Sequence, residues 1–231
     1  MADRDFIVFD FETGGRDPHT CQPTQLAAIA LHGRTLEMKK VGGEFNSEIW
    51  AETDDDKAIA AGLAPLEEEA LKVTGKTREQ IAKAPKPKAV WTKFLAFVNK
   101  HNWKGTTWFA PIPAGYNIIN YDMPIINRMA KLYGGWDDKK GQNKFFNPIK
   151  KYDMMDDMFL WTESDPTIKS ISMDNVRKRM GMESENAHDA LQDVKDTANI
   201  IIKFLKTRRA MYKTLSPKID KAFANGGLYI E

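Results

Sequence analysis

Short apolar runs separated by polar, turn-forming residues mark the predicted strands at the start of the chain. Residues 6–9 (Phe-Ile-Val-Phe) are continuously apolar, which is typical of a strand buried on both faces. Residues 26–31 predict a second strand, and residues 36–45 predict a weaker third that contains Gly42 and Gly43. Because the connections are short, these strands are expected to form a meander.

Apolar residues at helical spacing dominate the rest of the chain. The predicted helices cover residues 65–74, 77–83, 90–98, 124–133, 172–180 and 191–205, and a short helical tail begins at Ser216-Pro217. Two of them have clear end signals, because Gly75 is a natural C-cap and Thr77 with Gln80 forms a capping box. Residues 108–116 predict an irregular strand, and residues 152–161 a strand followed by a helix. Strands first and then alternating helices and strands predict one α/β domain with a mixed sheet.

The composition narrows the class of protein. Lys and Arg together number 34 and Asp and Glu 32, so any binding of nucleic acid must rely on local patches rather than on net charge. The single cysteine, Cys21, excludes an internal disulfide and suits a reducing cytoplasm. The acidic start of the chain does not resemble a signal peptide, and no run approaches the roughly 20 apolar residues of a membrane helix. We therefore expect a cytoplasmic protein without a membrane partner.

Asp10 and Glu12 follow the first apolar run. Side chains at positions i and i+2 of a strand point to the same face, so both carboxylates are expected to project together. Two neighbouring anions raise each other's pKa unless a cation lies between them, and a hard divalent ion with oxygen ligands, Mg²⁺ or Mn²⁺, explains the pair economically. Pairs of this kind also occur by chance.

Two further segments have both a structural and a functional interpretation. Thr13-Gly14-Gly15 either forms a tight turn or exposes backbone N–H groups to a phosphate. Asp122, at the start of a predicted helix, could simply cap that helix, and Asn117 could orient the turn before it through side-chain hydrogen bonds.

His188 and Asp193 are five residues apart, which on a helix separates them by about 140°. Both can face one cleft only if His188 lies in the loop before the last helix. A histidine with a pKa near 6.5 can act as a general base around neutral pH, although a lone histidine before a helix is often incidental.

Taken in order, these motifs resemble those of the DEDDh (DnaQ-like) 3′→5′ exonucleases. The matching strings are Asp10-Phe11-Glu12-Thr13-Gly14, Asn117-x₃-Tyr121-Asp122 and His188-x₄-Asp193. The histidine indicates the DEDDh branch, because the sister branch has a tyrosine where this chain has Asp189. The resemblance spans about residues 5–207, and the chain is also similar to the nuclease domain of the bacterial exonuclease I family, which acts on single-stranded DNA.

The resemblance implies an RNase H-like fold, a mixed β-sheet flanked by helices, with an exonuclease domain over residues 1–207 and a tail over residues 208–231 packed on it. It further implies two Mg²⁺ or Mn²⁺ ions and His188 as general base. The implied metal ligands are Asp10, Glu12, Asp122 and Asp193. The implied contacts to the terminal nucleotide are Phe11, Thr13, Gly14 and Asn117, with Phe11 stacking on its base.

Several functions remain open at this point. The favoured one is hydrolysis of single-stranded DNA from its 3′ end; the others are trimming of RNA ends, proofreading beside a DNA polymerase docked through the tail, and nucleic-acid binding without catalysis. Asp153, Asp156 and Asp157 are interpreted as structural or solvent-facing. The basic and aromatic residues of segment 136–151 either line a path for a single strand or divide into solvated lysines and buried aromatics.

Overall fold

The computed structural model describes residues 4–182 and 190–224, with side chains as far as residue 214. The strands within these ranges are β1 (Phe6–Thr13), β2 (Pro23–Leu31), β3 (Glu44–Glu48), β4 (Ile112–Gly115), β5 (Trp136–Asp137), β6 (Gln142–Asn143) and β7 (Tyr152–Asp153). The helices are α1 (Asp55–Ala60), α2 (Glu68–Thr74), α3 (Arg78–Lys83), α4 (Pro87–Asn99), α5 (Asp122–Tyr133), α6 (Met154–Thr162), α7 (Met173–Arg179) and α8 (Ala190–Ala224).

The main sheet has the strand order β3-β2-β1-β4-β7. β2 pairs antiparallel with both β1 and β3, whereas β4 runs parallel to β1 and β7 parallel to β4. The mixed sheet predicted from the sequence is thus confirmed. Because β1, β4 and β7 run in the same direction, the residues that follow them lie together at the C-terminal end of these strands.

Helices cover both faces of the sheet, and the side chains of β1 alternate between two cores. Ile7, Phe9 and Phe11 pack into the core formed with α4 and α5. Val8 points the other way, into the core formed with α6, α7 and α8. By the same alternation Asp10 and Glu12 lie on the α8 face. The two-residue period of β1 therefore decides which helices can complete a site with these carboxylates.

Several local predictions are confirmed in detail. The side chain of Thr77 accepts a hydrogen bond from the backbone N–H of Gln80, and the side chain of Gln80 accepts one from the backbone N–H of Thr77, which forms the predicted capping box of α3. Gly75 ends α2 in the left-handed conformation, with φ 65°. Ser172 caps α7 by accepting from the backbone N–H of Asn175.

Other predictions are wrong in their boundaries. The third strand begins only at Glu44, because turns occupy residues 33–35 and 40–42, where Gly42 has φ 64°, and Met38 between them forms only an isolated bridge to Leu31. The irregular strand over residues 108–116 is reduced to β4, which follows a single 3-10 turn at Thr107–Phe109. The apolar residues of the predicted helix over residues 124–133 do not all face the core, since Leu132 is 64% exposed.

The last helix is longer than predicted. α8 runs without a break from Ala190 to Ala224, so residues 216–224 continue it rather than form a separate tail. Among the described helices, none contains a stretch that is both long and apolar enough to cross a membrane.

Candidate active site

Three carboxylates meet where β1 crosses the first turns of α8. Asp10 and Glu12 come from β1 and Asp193 from α8, and one oxygen from each lies within 4.8 Å of the others. The alternation of β1 supplies the first two, and the position of Asp193 in the first turn of α8 supplies the third. Clustered carboxylate oxygens are the ligands that Mg²⁺ and Mn²⁺ prefer, so these residues fit a divalent metal site.

The electrostatics of Asp10 support the same interpretation. Burial raises the pKa of Asp10 well above its usual range, and the charges of Asp122, Glu12 and Asp193 raise it further, while Arg177 opposes the rise. Crowded anions in a poorly solvated place are costly, and a bound cation removes that cost. The carboxylates are thus arranged to hold a positive charge between them.

Asp122 lies next to this group but is held in a different way. It is the first residue of α5 and is almost fully buried, and its Oδ1 accepts a hydrogen bond of 3.0 Å from the backbone N–H of Phe11. Burial raises its pKa to about 8, although the hydrogen bond from Phe11 acts in the opposite direction. The structure therefore places Asp122 against β1 and close enough to act on the charge of Asp10, while the three clustered oxygens belong to the other carboxylates.

Asp153 organises the turn that leads to Asp122. Its Oδ1 accepts hydrogen bonds from the backbone N–H groups of Asn117 (2.7 Å) and Met155 (3.0 Å), and its Oδ2 accepts from that of Ile119 (3.0 Å). Burial raises the pKa of Asp153, against these three hydrogen bonds. The structural interpretation of Asp153 is thus supported, and the carboxylate joins the end of β4 to the start of α6.

Asn117 orients this turn as the sequence suggested. It adopts the left-handed conformation with φ 58°, which asparagine tolerates better than most residues. Its side-chain oxygen accepts a hydrogen bond of 3.1 Å from Nδ2 of Asn120. A contact between Asn117 and a nucleotide stays a prediction.

The side chain of Phe11, which follows Asp10 in β1, does not lie where the resemblance implies. Phe11 is only 4% exposed and packs in the core on the α4 and α5 side, so its ring is not available to stack on a base. The reason is again the alternation of β1, which turns the side chain between Asp10 and Glu12 to the opposite face. What Phe11 contributes is its backbone N–H, which holds Asp122.

Gly14 is required for close packing. Its N–H donates to the carbonyl of Gln22 at 2.8 Å, which leaves that donor engaged within the protein. A Cβ at Gly14 would lie 2.2 Å from Cδ2 of Leu66, so a side chain there would force the buried Leu66 side chain to shift. Of the two interpretations of the glycine pair, the structure favours the structural one at Gly14.

A cavity of about 380 Å³ opens beside the carboxylates. Thr13 and Tyr121 lie in its wall, and their hydroxyl groups are 2.6 Å apart and both contact the carbonyl of Gly15, at 2.8 and 2.7 Å. Glu12 and several residues of α2, among them Lys72 and Val73, complete the lining. The cavity is of the size that takes one small ligand, and it shares Glu12 with the carboxylate cluster.

Arg177 is the site residue that sequence reasoning missed. It is buried between α7 and α8, and its Nη2 donates to Oδ1 of Asp193 at 2.6 Å. Its Nε donates to Oδ2 of Asp196 at 2.8 Å. In the sequence it stands in the basic run Arg177-Lys178-Arg179, which is typical of a solvated surface, so no local signal distinguishes it.

Two further predictions concern His188 and segment 136–151. His188 falls outside the described residues. In segment 136–151, Phe145 and Phe146 are buried in the core, whereas Lys139, Lys140 and Lys144 are exposed. The segment begins beyond the C-terminal end of α5, and that helix of 12 residues is about 18 Å long. The division into solvated lysines and buried aromatics is therefore the better interpretation.

The chain is similar to several known proteins. A family model described as "RNase_T: Exonuclease" matches residues 7–201. DNA polymerase III subunit epsilon of Aquifex aeolicus is 26% identical over 206 residues, which cover 89% of this chain and 83% of that protein. A DNA polymerase III of the PolC type from Bacillus cereus is 25% identical over 89% of this chain, but this chain spans only 12% of that protein.

Among solved structures, E. coli exonuclease I in complex with a dT13 oligonucleotide has a TM-score of 0.66 at 19% identity over 95% of this chain. Exonuclease I from Methylocaldum szegediense has a TM-score of 0.66 at 21% identity over 96% of this chain. In both cases this chain spans 43% of the exonuclease I chain. At these identities the likeness shows the shared RNase H-like fold, in which the mixed sheet is flanked by helices.

Proposed function

The chain belongs to the RNase_T exonuclease family, and we propose that it hydrolyses single-stranded DNA from the 3′ end to release 5′-mononucleotides. The observation that carries the proposal is the cluster of Asp10, Glu12 and Asp193, whose oxygens approach within 4.8 Å of one another. This cluster lies at the end of a buried strand and beside a cavity for one small ligand. Together they provide a metal site next to a nucleotide site.

The residues present define how a divalent metal would be held. Asp10, Glu12 and Asp193 would hold two ions, Mg²⁺ or Mn²⁺, and Asp122 would contribute its carboxylate from the adjacent start of α5. When bound, the ions supply positive charge to the attacking and leaving oxygens of the scissile phosphodiester. The close approach of these partly buried carboxylates supports this arrangement, because a bound cation offsets their mutual repulsion.

The proposed reaction is an in-line hydrolysis at the last phosphodiester. A water oxygen attacks the phosphorus, the bond between phosphorus and the 3′ oxygen of the preceding nucleotide breaks, and that oxygen is protonated. His188 takes the proton from the attacking water, as a histidine with a pKa near neutrality can. Thr13 and Tyr121 position the terminal nucleotide in the cavity that they line.

Single-stranded DNA is the substrate that the observations support best. The cavity beside Glu12 has room for about one nucleotide, so a base-paired end must open before it enters. The structural relative described as a complex with dT13 binds a single-stranded oligonucleotide. Trimming of RNA ends is the alternative within the same chemistry.

A second candidate role is proofreading beside a polymerase. The polymerase III epsilon subunit of Aquifex aeolicus matches over 83% of its own length, so this chain accounts for most of a known polymerase subunit. In that role the enzyme would act on the same 3′ ends but would depend on a polymerase partner.

The deciding experiment compares end-labelled single-stranded DNA, duplex DNA and RNA of one sequence in Mg²⁺. We expect stepwise shortening of single-stranded DNA from its 3′ end, at least about ten times faster than that of duplex DNA, because a single strand enters without unpairing. RNA of the same sequence also enters unpaired, so the comparison with RNA tests the choice of sugar. Faster digestion of RNA would replace the proposed substrate, and weak digestion of all three would favour the polymerase-dependent role.

Substitution of His188 tests the proposed base. His188→Ala is expected to slow hydrolysis by about 10²–10⁴ while leaving the affinity for single-stranded DNA unchanged in fluorescence anisotropy with Ca²⁺. His32→Ala is the control, since His32 is exposed and follows β2 at the opposite end of β1 from the carboxylates. Hydrolysis by His188→Ala at the wild-type rate would remove this residue from the mechanism.

A further inference from the structure

Arg177 is a buried cation that reaches the carboxylate cluster from a neighbouring helix. Only 4% of the residue is exposed. Nη2 donates to Oδ1 of Asp193 at 2.6 Å, Nε donates to Oδ2 of Asp196 at 2.8 Å, and Nη1 lies 3.4 Å from Oδ1 of Asp174. One guanidinium therefore joins a residue of the metal cluster to two other carboxylates.

The position of the guanidinium is set independently of Asp193. Asp196 is itself buried, and its other oxygen accepts a hydrogen bond of 2.8 Å from Nε2 of Gln192. A buried charge is tolerated when it is paired and hydrogen-bonded, so Arg177 and Asp196 form a self-sufficient ion pair between α7 and α8. This leaves Nη2 as a fixed donor that points at Asp193.

We propose that Arg177 is a positioning residue that orients the carboxylate of Asp193 for binding of the divalent metal. The inference rests on the proposed function. Carboxylates that bind metals are commonly held by hydrogen bonds from neighbouring groups, and loss of such a neighbour typically weakens metal binding by about 10- to 100-fold. A guanidinium suits this role, because its planar fork can bond two carboxylates in fixed directions.

The same contact also affects the two helices on either side of residues 183–189, which contain the proposed base His188. Arg177 lies on the helix that precedes residues 183–189 in the chain, and Asp193 and Asp196 lie on the helix that follows them. The ion pair thus ties together the two helices that flank the segment containing His188. Orientation of Asp193 and placement of these flanking helices depend on one side chain.

The test is the affinity for Mn²⁺ measured by calorimetry, which does not require turnover. We expect Arg177→Met to bind Mn²⁺ about 10- to 100-fold more weakly than the wild type. Arg179→Met is the matched control, because Arg179 lies on the same helix but is exposed and faces Asp165 instead of α8. Tighter binding by Arg177→Met would show that the guanidinium competes with the metal and would overturn the proposal.

Two further variants separate orientation from charge and from folding. Arg177→Lys keeps the charge but not the fork, so it is expected to bind Mn²⁺ nearly as weakly as Arg177→Met, and wild-type affinity would overturn the orienting role. The double variant Arg177→Met with Asp196→Leu removes both buried charges and leaves neither unpaired. It is expected to keep the wild-type melting temperature in EDTA while showing the same loss of affinity, and wild-type affinity there would likewise refute the proposal.

Failure of the proposed function looks different in the same experiment. If the wild type and Asp10→Ala both fail to bind Mn²⁺, the metal site itself is wrong. If the wild type binds and Asp10→Ala does not, the site is right, and the Arg177 variants then decide the positioning role. At saturating Mn²⁺ the Arg177 variants are expected to recover much of their activity, because the defect lies in occupancy of the site.

Discussion

At the scale of single residues, the protonation of Asp122 connects the site to stability. Burial raises the pKa of Asp122 to about 8, whereas an unfolded chain leaves such a group near 4. Between these values the folded protein holds a proton that the unfolded chain has lost, so stability falls as pH rises. The contribution is fully present below about pH 4 and is lost as the pH passes through about 8.

We therefore expect the melting temperature of the metal-free protein in EDTA to fall between pH 5 and pH 8. Asp122→Asn should make this dependence less steep, because Asn is neutral throughout and its Oδ1 can still accept from Phe11, while the raised pKa of Asp10 maintains the remaining slope. The measurement is a set of thermal melts across the pH range for both proteins. An equally steep fall in Asp122→Asn would show that another group carries the proton.

Asp10 carries the prediction for catalysis. Asp10→Ala is expected to reduce nuclease activity by at least about 10²-fold, because it removes one of the carboxylates that would hold the metal. EDTA is expected to abolish the activity, because it removes the metal itself. Digestion of labelled single-stranded DNA in Mg²⁺ measures the effect. Asp138→Ala, at an exposed position in the loop after β5, should keep full activity. Undiminished digestion in chelator would contradict a metal mechanism of any kind.

The sequence pattern predicted that Asp10 and Glu12 share one face of a strand, because strand alternation is a local property. It did not predict the role of Arg177, whose partners lie 16 and 19 positions away on another helix. The burial of Phe11 gives no support to its predicted stacking on a base, for a reason that was already local, since the residue between two carboxylates on a strand faces the opposite side. Residue roles set by periodicity were predictable, and those set by tertiary contact were not.

At the scale of elements, Asp153 holds two of them together. Asp153→Ala removes the acceptor for three backbone N–H groups, from Asn117, Ile119 and Met155. We expect a loss of stability of about 1–3 kcal/mol and a lower activity, because the turn before Asp122 loses its support. Chemical denaturation measures the first effect. Asp156→Ala is the comparison, because Asp156 lies in the first turn of α6, which Asp153 caps, but does not make these bonds. Equal stability of the two variants would refute this role.

Helix ends were predictable where the sequence carries its own capping chemistry, as at Thr77 and Gly75. The third strand was misplaced, because β3 lies at the edge of the sheet and its sequence, Glu-Phe-Asn-Ser-Glu, contains only one apolar residue. An edge strand is specified by pairing with its neighbour rather than by its own hydrophobic pattern. Gly42, shortly before it, looks like part of a strand but lies in a turn.

At the scale of the whole molecule, α8 runs across position 207, where the sequence suggested that the exonuclease domain ends. Arg208 forms an ion pair of 2.7 Å with the buried Asp157, and Arg209 donates to the carbonyls of Gly33 and Arg34 at 2.8 and 2.7 Å. Through these contacts the middle of α8 packs against α6 and against the turn after β2.

A chain shortened to residues 1–207 is therefore expected to be less stable by about 1–3 kcal/mol, chiefly because Asp157 is left buried without its cation. A chain of residues 1–214 retains both arginines and should unfold at nearly the same urea concentration as the full chain. Urea denaturation of the three proteins measures the difference. Equal midpoints for the 1–207 and 1–214 chains would show that the arginines add nothing.

The spacing of the three clustered carboxylates along the chain also matters while the protein is being made. Asp10 and Glu12 are translated well before Asp193, which lies 181 residues after Glu12 in the chain. A nascent or prematurely terminated chain that stops before Asp193 therefore lacks one wall of the cluster. Nuclease activity that depends on this cluster is expected only from chains that extend past Asp193.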